Sequence, residues 1–241
     1  MSTKYIASNW RLPNQAGVDS YLNDNYGLTF DGSEFIDCGN PTSLQITGNL
    51  SISFWFKTSS SSNMRIAGKD GGAASNRNYI TIISSGFVGF KIHKSDTGFS
   101  VFTTGTYNDG NWHNAVGVND GSDLKIYIDG NLENTTVGGG GTIDNDTANF
   151  EIGRRADNQK FFDGELSELA VFDYALSESQ ISTLYGSNTL GSASPLALKP
   201  APVAFYPLGD NSSGNPLTQP NEAVEDASVF DFDGSNDYII A

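Results

Sequence analysis

At 241 residues the chain can bury a full hydrophobic core, and its single Cys38 cannot form an internal disulfide, so packing must hold the fold. Thirteen Lys and Arg against 28 Asp and Glu leave a net charge of −15, which excludes nucleic acid and anionic membrane surfaces as partners held by charge. No apolar run approaches the ~18 residues a membrane span needs, and the polar start MSTKYIASNWRLPNQ lacks an apolar signal core, so neither membrane insertion nor export through this segment is expected.

Residues 1–27 are polar, with Trp10, Tyr21 and Tyr26 set among Asn, Asp and Gly, and read as an N-terminal arm. Alternation then begins. Leu50, Ile52, Phe54 and Phe56 share one face of a strand, with Ser51, Ser53, Trp55 and Lys57 on the other. A long polar loop is expected from Thr58 to Asn78, followed by strands at Tyr79–Ile83, Phe87–His93 and Phe99–Thr103. In LKIYIDGNL (124–132), Asp129-Gly130 supplies the positive φ of a tight hairpin turn. Further strands are expected at Phe150–Gly153 and Leu166–Phe172. Ser177 and Gln180 fit a capping box, Ile181, Leu184 and Tyr185 share a face, and Gly186 stands at the C-cap of a short helix. Many short strands with one small helix predict an all-β, antiparallel two-sheet jelly-roll sandwich over residues 28–186.

Residues 187–202 read as a Ser/Ala/Pro linker. Beyond it, Phe232-Asp233-Gly234-Ser235 with Tyr238-Ile239 repeats Phe30-Asp31-Gly32-Ser33 with Phe35-Ile36 at a spacing of about 200 residues, suited to tandem all-β domains. Residues 203–241 are therefore expected to be the opening strands of a second copy, or a tail whose strands pair with a neighbouring subunit.

Six motifs in order, FDGSEFIDCG (30–39), LSISFWFK (50–57), DGNWHNAVGV (109–118), LKIYIDGNL (124–132), EIG (151–153) and FDGELSELAVFDYALSESQISTLY (162–185), resemble the laminin G-like, concanavalin A-like lectin/glucanase jelly rolls. The resemblance implies two curved sheets whose concave face and rim loops serve glycans or protein partners. An arm running into one such unit and then another is similar to structural proteins of marine bacteriophages. The resemblance also implies one structural Ca²⁺ where the first strand meets the last, held by Glu168 with Asp31 opposite. Ser167 stands where an acidic residue is common. Asp31 is equally suited to capping its own Asp-Gly turn.

The residues themselves argue against catalysis. Retaining glycosidases need two carboxylates about 5 Å apart, and Glu165 and Glu168 are spaced to point to opposite faces of a strand. His93 and His113 are the only histidines and lie too far apart in sequence to suggest a zinc site. Trp55, between Phe54 and Phe56, suits packing better than sugar stacking. For recognition the segment 63–79 stands out, because Arg65, Lys69, Asp70, Asn76, Arg77 and Tyr79 mix guanidinium, amide and aromatic groups suited to hydroxyl-rich ligands. The bland alternative is a solvated loop whose cations balance neighbouring acids. The expected function is a noncatalytic structural or glycan-recognition module of a virion or extracellular surface assembly, a homo-oligomer contacting other subunits and host glycans. The alternative is a secreted bacterial lectin or adhesin module.

Overall fold

The structure is a computed structural model that describes residues 27–186 and 194–208. The arm at 1–26, residues 187–193 of the linker and the repeat motif at 232–239 lie outside the described residues. Two antiparallel sheets face one another. One runs β1 (Leu28–Asp31), β12 (Asp163–Phe172), β3 (Leu50–Lys57), β8 (Trp112–Asn119), β9 (Leu124–Ile128) and β10 (Asn131–Thr136), with β13 (Ala204–Tyr206) also on β12. The other runs β2 (Ile36–Asp37), β11 (Phe150–Ile152), β4 (Met64–Asp70), β5 (Arg77–Ser84), β6 (Phe87–Lys94) and β7 (Thr97–Phe102). The jelly-roll expectation holds.

Alternation decides what fills the space between the sheets. Ile52, Phe54 and Phe56 of β3 meet Phe90 and Ile92 of β6 and Phe150 of β11 in one continuous core. Gly117 on β8 makes room for this contact, since a Cβ there would lie 2.5 Å from Phe90 Cγ. On the outer side of the β1–β10 sheet a second cluster joins Val116, Tyr127 and Phe172 to Ile181 and Leu184 of the helix α1 (Glu178–Tyr185). Trp55 is buried on that side and stacks on Tyr185 with ring centroids 5.9 Å apart, so it packs as its flanking residues predict. The Ser177/Gln180 capping box and a left-handed Gly186 close α1 as expected, and Asp129 and Gly130 take the positive φ of the hairpin.

Two expectations are corrected. The loop from Thr58 to Asn78 contains a full strand, β4, whose Met64, Ile66 and Ala67 are buried. Its alternation is hidden because register shifts at Arg65/Ala67 and Gly68/Asp70 insert extra residues and flip the faces. Residues 203–208 join the same domain as residues 28–186: Ala204, Phe205 and Tyr206 pair with Val171, Ala170 and Leu169 of the same polypeptide. The pairing is in cis because the segment has a core to fill. Ala204, Tyr206 and Leu208 enter the inter-sheet core and Phe205 enters the cluster under α1.

Candidate functional site

The outer face of the β2–β7 sheet collects the polar side chains. On β5, Tyr79 and Ile83 point into the core while Asn78, Ile80 and Ile82 take the opposite face. On β6, Val88, Phe90 and Ile92 point in, which leaves Gly89, Lys91 and His93 outside. The ladders align Ile80 with Lys91 and Ser100, Ile82 with Gly89 and Phe102, and His93 with Gly98. Asn78 continues this register beside His93. Gly98 is small for a reason: a Cβ there would collide with Lys91 Cε and lie 3.2 Å from His93 Nε2. Lys91 therefore lies across Gly98 with its ammonium near the imidazole.

One carboxylate is shared by two guanidinium groups at the β4 end of this face. Arg65 Nε donates to Asp70 at 2.8 Å and Arg77 Nε donates to it at 2.7 Å. Burial would raise the Asp70 pKa, but the two arginines outweigh it and hold the carboxyl below its usual range. Burial, then the charges of Arg77 and Arg65, lower the Lys91 pKa. Burial, then Lys91 and Arg77, lower that of His93, with Asp70 and Asp144 opposing. The His93 imidazole is therefore neutral at pH 7.

The wall beside His93 is the segment carrying Asp144 and Asp146. The Asp144 amide donates to the His93 carbonyl at 2.9 Å, and the Asp144 carboxylate accepts from the amides of Ser95 and Asp96. Asp146 accepts from the Arg77 amide at 3.1 Å, and Asn78 Nδ2 donates to the Asp144 carbonyl. Against this wall, His93 Nδ1, His93 Nε2 and Asn78 Oδ1 are buried without a hydrogen-bond partner. His93 is 2% exposed and Asn78 0%, so these polar atoms are desolvated and have no partner among the described residues.

The residues singled out from sequence divide. Arg65 and Arg77 belong to this face, through Asp70. Asn76 lies at its edge in a 3-10 turn, with Oδ1 also buried and unpartnered. Lys69 and Tyr79 are corrected, because both are 0% exposed. The Lys69 ammonium donates to Asn40 Oδ1, and burial, only partly offset by Asp146, pushes its pKa down to about 8. The Tyr79 hydroxyl donates to the Leu44 carbonyl at 2.7 Å in the core. Lys91, His93 and Asn78 were missed, although the pattern FVGFKIHK already sets Gly89, Lys91 and His93 on one strand face.

Asp31 and Glu168 do not fit a shared Ca²⁺ site. Asp31 pairs with Asp163, which sets Glu168 five residues farther along β12, about 16 Å at the usual strand rise. The Asp31 carboxylate accepts from the amide and hydroxyl of Ser33, as a turn cap does. Glu168 takes a positive φ at a β12 bulge, and burial pushes its pKa up to about 8, although part of the residue reaches solvent. Among the described residues no three His, Cys, Asp or Glu side chains converge on a metal-sized site. Nor do Glu165 and Glu168 form a catalytic pair, since Lys57 engages Glu165 at 2.9 Å while Glu168 sits at the bulge. His113 is satisfied by Asp129 at 2.8 Å and Asp109 at 3.2 Å.

The two-sheet jelly roll, with a polar outer sheet face and no carboxylate pair set for hydrolysis among the described residues, defines a module of the lectin-like sandwich class. The family model for the concanavalin A-like lectin/glucanases superfamily, of laminin G type, matches residues 30–182, and the chain belongs to that family. No curated protein matches it. Among solved structures, one similar chain is a Bacteroides ovatus protein whose assigned role is carbohydrate binding, at 18% identity and a TM-score of 0.58 over 78% of this chain and 54% of that one. The chain thus spans about half the length of that relative. The CBM40 module of the Ruminococcus gnavus IT-sialidase, solved with α2,3-sialyllactose, aligns at 16% identity and a TM-score of 0.57 over 66% of this chain and 96% of the module. A heptameric SAP-like pentraxin from Limulus polyphemus aligns at 20% identity and a TM-score of 0.51 over 66% of this chain and 81% of that one. At these identities the likeness is one of fold.

Proposed function

We propose that the chain is a noncatalytic carbohydrate-binding module of extracellular lectin type, taking sugar on the outer face of its β2–β7 sheet. The observation that carries this reading is the polar face itself, where the half-buried Arg65, Arg77 and Lys91 keep N–H donors that the protein does not use. Guanidinium and ammonium N–H groups donate to vicinal hydroxyls, and the buried His93 and Asn78 lie beside them as part of the same polar face. The carbohydrate-binding relatives of the same fold support the lectin reading over a virion subunit. A homo-oligomer, as in the pentraxin, would present several such faces and multiply a weak affinity for each sugar.

The test is a glycan array followed by an NMR titration of the labelled protein with the best-binding oligosaccharide. Shifts concentrated in β5, β6 and β7 support the proposal. Shifts confined to the β1–β10 sheet, or no binding across the array, overturn it.

A further inference from the structure

We propose that this face selects sugars bearing an acidic group, carboxylate or sulfate, with Lys91 as the group that reads the anion. The inference rests on the carbohydrate-binding reading above and adds the class of ligand. Its first support is local charge. The chain carries a net −15, yet Arg65, Arg77 and Lys91 gather here around one carboxylate, Asp70. The neighbouring acids turn their carboxylates to the backbone: Asp144 accepts two backbone amides and Asp146 accepts the Arg77 amide.

The second support is what each cation leaves unused. Arg65 spends Nε on Asp70 and Nη1 on Asn63, while Arg77 spends Nε on Asp70 and Nη2 on the Gly72 carbonyl. A guanidinium has five N–H donors, so each arginine keeps some in reserve. Among the described residues the Lys91 ammonium makes no ion pair. It lies across the exposed Gly98, whose missing side chain makes room for it, and Lys91 is itself half-buried. A partly desolvated ammonium gains more from an anion than from a hydroxyl, because the anion adds the attraction of a full opposite charge to the hydrogen bond. A neutral sugar would cover Lys91 and leave its charge without a counter-ion. The spare N–H donors of Arg65 and Arg77 then serve the ring hydroxyls or the same acidic group.

Titration calorimetry on the full chain with three galactose-based oligomers of equal length, neutral, uronic-acid and sulfated, decides the matter. At least one acidic oligomer should bind tenfold or more tighter than the neutral one, and which of the two does so identifies the anion. Raising salt from 50 to 500 mM should shrink that preference. Lys91→Gln should bring the affinity ratio towards one, and Lys91→Arg should restore most of it. Equal affinities for neutral and acidic oligomers, or a preference that survives Lys91→Gln, overturn the inference and leave carbohydrate binding standing. Failure of all three to bind, together with a blank glycan array, removes both.

Discussion

The Leu28 amide donates to the Leu208 carbonyl at 2.7 Å, joining two segments far apart in the chain into one strand along the edge of β12. β13 covers Leu169–Val171 and β1 covers Asp163–Leu166, so both lie antiparallel on the same side of β12 and meet end to end. The Glu168 bulge lies at the seam, with its amide donating to the Pro207 carbonyl at 2.9 Å. Residues 203–208 thus complete the domain that the linker had been expected to separate them from.

Tyr206 is the anchor of that seam. It is 1% exposed and stacks on Phe150 with centroids 5.9 Å apart and planes 13° from parallel. Truncation removes an aromatic from both the core and the stack, so Tyr206→Ala should cost about 3–5 kcal/mol in urea unfolding. A loss below about 1 kcal/mol, the range of surface changes, would mean that β13 is dispensable.

Glu168 makes stability fall as pH rises. Burial lifts its folded pKa from 4.5 to about 8, so the folded chain keeps a proton that the unfolded chain gives up. The stabilising contribution is complete below pH 4.5 and is lost progressively up to about pH 8. Glu168→Gln keeps the shape and abolishes the titration, so melting temperatures should show the variant gaining on the wild type between pH 5 and 8. Parallel curves would place the carboxyl in water.

Cys38 should be inert in the native state. Cys38 is half-buried, yet burial of the thiol pushes its pKa up to about 12 against a hydrogen bond from Tyr206, and the charges of Asp37 and Glu151 add to the rise. At pH 8 this leaves on the order of a thousandfold less thiolate than in the unfolded chain. Iodoacetamide should label the protein only as it unfolds, and faster in Tyr206→Ala. Rapid stoichiometric labelling of the native wild type would contradict the burial.

What could be read in advance follows from where the information lies. The β3 alternation, the Asp129-Gly130 turn and the Ser177 capping box are short-range patterns, and each forms as its residues dictate. β4 was not legible, because its two register shifts break the period of two that identifies a strand. Tyr79 looked like a binding residue because its hydroxyl partner, the Leu44 carbonyl, is brought to it only by the folded sandwich. The polar face was half legible. Arg65 and Arg77 stood out by charge, but their clamp on Asp70, and the burial of His93 beside Asn78, depend on strands pairing across the sheet.

His113 supplies a second pH dependence, separable from that of Glu168. Burial alone would lower its pKa, but hydrogen bonds and charge from Asp129 and Asp109 prevail and raise it above its ordinary 6.5. A raised histidine contributes stability that is fully present below the unfolded value and is lost as pH climbs through the folded one. His113→Gln should therefore lower the melting temperature most at pH 5–6, with the deficit narrowing by pH 9. Because Glu168 acts in the same direction, the comparison belongs in a Glu168→Gln background; Lys69 and His93, whose pKa values burial lowers, are common to both proteins compared and cancel. A deficit that stays constant with pH would assign the loss to packing against Phe56 and Tyr107, whose rings lie 5.8 and 5.0 Å from the imidazole, and not to the charge.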